Sequence, residues 1–373
     1  MKNVSRRDFL LGIGALAGAA VCSRPYFLFG NVNELAPFEF LVLGDSLVWG
    51  QGLQEEQKFY RLTKTWLRDE VFAGRRSINL NIFAHSGSTI QLDSREEKAL
   101  LGAERDPNEN LHPEINVSFP VINAQLAQAR KAYERPEDVQ LIMLSGGIPE
   151  VGVSNILNPF QDNEKLSEDI RKYCFGHMSP LLAETHDAFP NARIVVIGYY
   201  PIITKHTPMK RIVNDVLELY NWPGWTKPLL NNPAKRILWR RFRGKMIKRS
   251  RIWAEGSTAE LGRAVDVLNE STGSETAILV VPPFAEKNAY GTKDSYLFKV
   301  AKKGRAADPL REVRGEECRP ALSELRRDTD LKYRTRVCEL ASIGHPNEKG
   351  SAAIADAVKH ALLPLLAKEV SNL

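Results

Sequence analysis

The chain has 373 residues, 43% hydrophobic and 26% charged, with a formal net charge of +6. That apolar content can bury one large core or two small ones. Scattered histidines and the lack of any Cys-x-x-Cys exclude the usual metal-ligand spacings, and no cofactor is expected.

In chain order, Ser5-Arg6-Arg7-Asp8-Phe9 precedes an apolar stretch from Leu10 to Val21. An arginine pair before a short hydrophobic region is the twin-arginine export pattern, so residues 1–22 are read as a signal peptide. The stretch is shorter than the about 20 residues that span a bilayer. The alternative is an amphipathic or buried first helix. Export implies a periplasmic or secreted protein, with membrane association left open, and a nucleic-acid partner is not expected there.

Apolar runs of strand length occur at Glu39–Leu43, Asn79–Ala84, Val139–Ser145, Ile194–Gly198 and Ala277–Val281. Helical patterns lie between them, near Glu56–Val71, Val117–Ala132, Glu164–Ala188 and Ala259–Ser271, with a last helix from Glu348 to Leu366. Alternating strands and helices predict a mostly parallel sheet covered on both faces, a three-layer α/β/α sandwich. One elaborated domain is expected over residues 35–373, with two segments in excess of that architecture. Residues 204–255 interleave cations with Trp222, Trp225, Trp239 and Phe242, and carry no acidic residue from Leu219 to Ala254. Such a segment suits an anionic membrane surface, an acidic polysaccharide, or a lid packed by its own aromatics. Residues 299–340 are strongly charged and helical in part, around Pro320–Arg327. Within them, Cys318 and Cys338 can form a bridge in an oxidising compartment, leaving Cys174 unpaired.

The first strand runs Phe40-Leu41-Val42-Leu43 and stops at Gly44-Asp45-Ser46. Glycine permits a sharp turn at the strand end, which presents Ser46 at the carboxyl edge of the sheet, where α/β proteins bind ligands. Some 300 residues later, Gly344 and Pro346 bracket His345, and Asn347 is placed to cap the final helix. A serine hydroxyl needs a nearby base, and imidazole serves near neutral pH.

This pairing resembles the SGNH, or GDSL-type, hydrolase family of esterases, lipases and carbohydrate deacetylases. The resemblance rests on four short blocks: Phe40–Leu53, Ala84–Thr89, Leu144–Glu150 and Gly344–Asn347. It implies a five-stranded sheet in flavodoxin-like order, Ser46 as nucleophile, His345 as base, and the backbone N–H groups of Ser46 and Gly87 facing the oxyanion. Two positions depart from the family pattern. Pro149 stands where an oxyanion-donating Asn is usual, and proline offers neither an amide side chain nor an N–H. Ser342 stands where an Asp usually orients the histidine; its hydroxyl can accept a hydrogen bond but supplies no charge. Glu339 is a candidate substitute for orienting the imidazole, and Asn155 or His85 for the oxyanion donor. The resemblance implies ester hydrolysis through an acyl-enzyme on an acylated small molecule, lipid or glycan. The alternatives are acyl transfer to a glycan hydroxyl, or a catalytically weak cleft that binds an envelope glycan or lipid.

Overall fold

A computed structural model describes residues 36–109, 111–212, 215, 236–301 and 306–370. The expected signal segment and the Trp222–Trp225 stretch lie outside the described residues. One compact unit spans Pro37–Leu373.

Five strands form the sheet: β1 (Phe38–Gly44), β2 (Ile78–Ile82), β3 (Val139–Ser145), β4 (Arg193–Ile197) and β5 (Ala277–Val280). Every pairing is parallel and the order is β2-β1-β3-β4-β5. Strands in such a sheet are covered on both faces, which explains the near-continuous apolar runs of β1 and β3. The order reverses between β2 and β3 about β1, so the carboxyl ends of β1 and β3 flank the crevice where doubly wound folds hold ligands.

Helices α1 (Ser46–Trp49) and α2 (Phe59–Trp66) follow β1. Then come α3 (Ile122–Ala132), α4 (Asn163–Ile170), α5 (Met178–Ala188) and α6 (Arg236–Thr272). The chain ends with α7 (Arg311–Asp328), α8 (Thr335–Glu339) and α9 (Glu348–Val370). α2 and α9 pack together on one face of the sheet; α3, α5 and α6 cover the other. No helix among the described residues is long and apolar enough to cross a membrane.

Three expectations about helices change. α3 starts at Ile122 rather than Val117, because Pro120 cannot donate within a helix and disfavours helical backbone at the residue before it. The long helix expected over Glu164–Ala188 is interrupted by a wider π-type turn at Arg171–His177. The basic stretch and the helix expected at Ala259–Ser271 are one continuous helix of 37 residues. No proline lies within it, and its buried stripe of Met246, Ser250, Trp253, Ser257, Leu261, Ala264 and Leu268 keeps the three-to-four spacing of a helix seated on a core.

A second, smaller core joins Leu100, Ile115, Val117 and Phe119 to Cys318, Leu322, Leu325, Leu331 and Cys338. A Cys318–Cys338 disulfide crosses it and ties α7 to α8 just ahead of His345, while Cys174 is free and buried.

Candidate active site

The end of β1 is shaped by close packing. Gly44 has φ +134°, and a Cβ there would collide with the Ser145 carbonyl on β3. Asp45 is fully buried and caps α1: its Oδ1 accepts from Leu47 N at 2.9 Å and from the Ser145 hydroxyl at 2.6 Å, and its Oδ2 accepts from the Tyr199 hydroxyl at 2.7 Å. Burial raises its pKa above the ordinary carboxylate value, against those hydrogen bonds. Three separate elements thus grip one side chain, and the residue after it, Ser46, is held in place. Gln125 braces the same turn from α3, accepting from Gly44 N at 2.8 Å and donating to the Ser88 hydroxyl at 2.9 Å.

His345 reaches this point from the opposite end of the chain. Gly344 N donates to the Phe298 carbonyl, Phe298 N donates to the His345 carbonyl, and the Tyr200 hydroxyl donates to the Gly344 carbonyl at 3.0 Å. Asn347 caps α9 through Oδ1, which accepts from Lys349 N and Gly350 N. So pinned, the ring sets Nε2 at 2.7 Å from Ser46 Oγ. Nδ1 has no partner at hydrogen-bond geometry. Burial, and after it the Arg314 guanidinium, pushes the imidazole pKa down to about 4; the Ala341 and Ser342 carbonyls and Asp308 pull the other way. The ring is therefore neutral at pH 7 and free to accept a proton at Nε2.

Behind the histidine loop lies a buried ionic cluster that the sequence did not disclose. Arg314 bridges Glu114 at 2.7 Å and Asp308 at 2.6 Å, with all three side chains at most 1% exposed. Ser342 donates to Asp308 Oδ2 and accepts from Arg314 at 3.3 Å. Its hydroxyl is thus engaged with this cluster rather than with the imidazole. Glu339 is held by Arg311, Arg319 and Arg336 and makes no hydrogen bond to the ring. That corrects the expectation, for a physical reason: three guanidiniums compete for the same carboxylate.

Gly87 has φ +81°, and a Cβ there would press to 2.6 Å from the Val117 carbonyl. Its N–H and that of Ser46 have no partner among the described residues. Pro149 lines the same cleft and brings no donor. Asn155 does not replace the missing amide. Its Nδ2 donates to the Val151 carbonyl and to Asp169, while Oδ1 accepts from Arg249. His85 is also diverted: Nδ1 meets the Ser86 carbonyl at 3.0 Å, and burial pushes the ring down to about 4. The side-chain amide beside Gly87 is instead Asn116, overlooked in the sequence. Its Nδ2 donates to the Ser86 hydroxyl at 3.1 Å and lies 3.0 Å from where a Gly87 Cβ would stand. Glu150 reaches the cleft too; its Oε1 accepts from Ile90 N, and burial pushes its pKa up to about 7.

Ser46, Gly87, Asn116, Pro149, Glu150 and His345 all line one cavity of about 1400 Å³. One wall is aromatic and aliphatic, with Phe160, Tyr199, Phe242, Met246 and Trp253; another carries Glu96, Ser118, Tyr333 and Arg334. Among the described residues, no group of His, Cys, Asp and Glu is arranged to hold a metal. The arrangement can do one kind of chemistry readily. A hydroxyl bonded to a neutral imidazole, with free N–H groups alongside, can add to a carbonyl and shelter the resulting oxyanion.

A strand-end serine paired with a histidine from the last loop, at the switch point of a flavodoxin-like sheet, defines the class of site. Neither the family models nor the curated proteins compared with this chain give a match. Solved structures to which it is similar include an extracellular lipase from Streptomyces rimosus, at 11% identity and TM-score 0.42, covering 87% of this chain and 99% of the lipase. A family two carbohydrate esterase from Clostridium thermocellum, in complex with cellohexaose, is 12% identical at TM-score 0.38, covering 88% of this chain and 65% of that one. The carbohydrate acetylesterase Est24 from Sinorhizobium meliloti is 12% identical at TM-score 0.35, covering 88% and 99%.

Proposed function

We propose that the protein is a serine ester hydrolase working through an acyl-enzyme. The observation that carries this reading is the 2.7 Å contact between His345 Nε2 and Ser46 Oγ. As Ser46 Oγ attacks the ester carbonyl, its proton passes to His345 Nε2 and the carbonyl oxygen becomes an oxyanion. The N–H groups of Ser46 and Gly87 face that oxyanion, and the Asn116 amide takes the place of the donor lost at Pro149. Collapse breaks the C–O bond, and Nε2 returns its proton to the leaving alcohol. Water then repeats the sequence on the acyl-serine, releasing the acid and restoring the hydroxyl.

A second reading, a cleft that binds its ligand with little turnover, draws on the partnerless Nδ1 and on Pro149. One experiment separates the two. A fluorophosphonate probe should label the folded wild-type chain but not Ser46→Ala, and Ser46→Ala should lose turnover of short p-nitrophenyl esters. A folded wild type that resists the probe refutes the hydrolase. Adding a sugar acceptor and analysing the products distinguishes hydrolysis from acyl transfer, and an acylated acceptor would assign the chain to transfer.

A further inference from the structure

The mouth of the cavity carries a surface that ester chemistry does not need. Phe160 is 76% exposed, the highest value among the exposed large hydrophobic side chains, and Val153 beside the same opening is 46% exposed. The Phe160 loop is nevertheless firmly seated. Arg249, itself 1% exposed, donates to the carbonyls of Asn155, Ile156, Gln161 and Asp162 and so clamps residues 155–162 onto α6. Phe160 then stands edge-on to Phe242, with ring centres 4.9 Å apart.

With about 3.6 residues per turn, Arg241, Lys245 and Lys248 run along one edge of the Phe242–Met246–Trp253 stripe. These three and Arg240 are exposed and have no ion-pair partner among the described residues. The acid nearest in sequence to Phe160, Asp162, is occupied as the cap of α4, accepting from Glu164 N at 3.1 Å. A rigidly presented aromatic tip beside a row of unpaired cations is complementary to an anionic bilayer: the cations meet the headgroups and the ring enters the acyl boundary.

We infer that the Phe160 loop and the first half of α6 dock the protein on an anionic lipid surface, with the cavity mouth facing the bilayer. This goes beyond the hydrolase reading and holds whether or not Ser46 turns over.

The test is flotation of the full chain with phosphatidylglycerol-rich vesicles against pure phosphatidylcholine vesicles. The chain should partition to the anionic vesicles, and raised salt should release it. Each cation near such a surface contributes roughly fivefold, so the combined variant Arg241→Ala, Lys245→Ala, Lys248→Ala should lose on the order of a hundredfold in partition. Phe160→Ala should lose roughly tenfold, with thermal unfolding showing that each variant remains folded. A polarity-sensitive dye on Phe160→Cys, in a Cys22→Ser background, should shift to the blue with anionic vesicles only, which separates this surface from any binding by the N-terminal segment. Vesicle binding that survives the cation variant, or a dye that does not shift, overturns the inference. So does retention on an acidic polysaccharide without vesicle binding, or a dimer in sedimentation that Phe160→Ala dissociates.

Discussion

Burial and the Arg314 charge hold His345 neutral far below its ordinary range, and that has a direct kinetic consequence. A base must be unprotonated to accept the Ser46 proton. The rate constant kcat/KM should therefore sit on a plateau above the folded-state pKa and fall tenfold per pH unit below it. With the imidazole pushed to about 4, about nine-tenths of the enzyme is competent at pH 5, against about one-thirtieth for a ring titrating at the ordinary 6.5. The two cases differ by about thirtyfold at a single pH. The assay is kcat/KM for a p-nitrophenyl ester from pH 3.5 to 8, read where phenol and phenolate absorb equally, with circular dichroism at each pH to confirm folding. A half-maximum near pH 6.5 would show that the ring is solvated or that another group is the base, and the account of the site given above would fail.

Glu150 should lower stability as pH rises. Its folded pKa is raised to about 7 from an ordinary 4.5, so the folded state pays to ionise it as pH rises through that window. Glu150→Gln, which keeps the acceptor for Ile90 N, should add up to about 3 kcal/mol above pH 7 and almost nothing below 4.5, measured by urea unfolding. Equal gains at both pH values would refute this. Arg314→Met leaves Glu114 and Asp308 as uncompensated buried charges and should cost about 3–5 kcal/mol, largely recovered when Glu114→Gln and Asp308→Asn are added; no recovery in the triple variant would mean the cluster is not the cause. Asn116→Ala should lower kcat by about 100-fold with a smaller effect on KM, the signature of a donor used in the transition state. A pure KM effect would place Asn116 in substrate binding instead.

The parts of the molecule legible in the sequence were those with a period or a forced backbone. β1 and β3 announce themselves as apolar runs because both their faces are buried. Gly44 and Gly344 mark turns beside Ser46 and His345, and the structure brings those two residues together. Three kinds of feature were not legible. The joining of two helical stretches into α6 depends on a buried stripe whose members include Ser250 and Ser257, polar residues that a hydrophobic pattern does not count. The Glu114–Arg314–Asp308 cluster lies among many surface charges of the same types, with nothing in spacing to separate the buried three from the solvated rest. Asn116 was missed because it belongs to an irregular segment and reaches Gly87 only through the tertiary fold.

The cluster sets the electrostatic surroundings of the histidine. A negative charge does lie behind Ser342, where Asp308 meets Arg314. There its effect on the imidazole is outweighed, since the guanidinium disfavours the protonated ring more than Asp308 favours it. In the proposed reaction, an imidazolium would therefore be stabilised by the Ala341 and Ser342 carbonyls and by little else. Such a base stays available over a wide pH range but takes up a proton less readily, and the deficit must be met elsewhere. The means at hand are a turn locked by Asp45, which holds Ser46 in line without reorganisation, and a cavity large enough to orient a substrate by contacts remote from the reacting carbon. On the proposed mechanism, rate in this site would depend more on positioning than on the strength of its base.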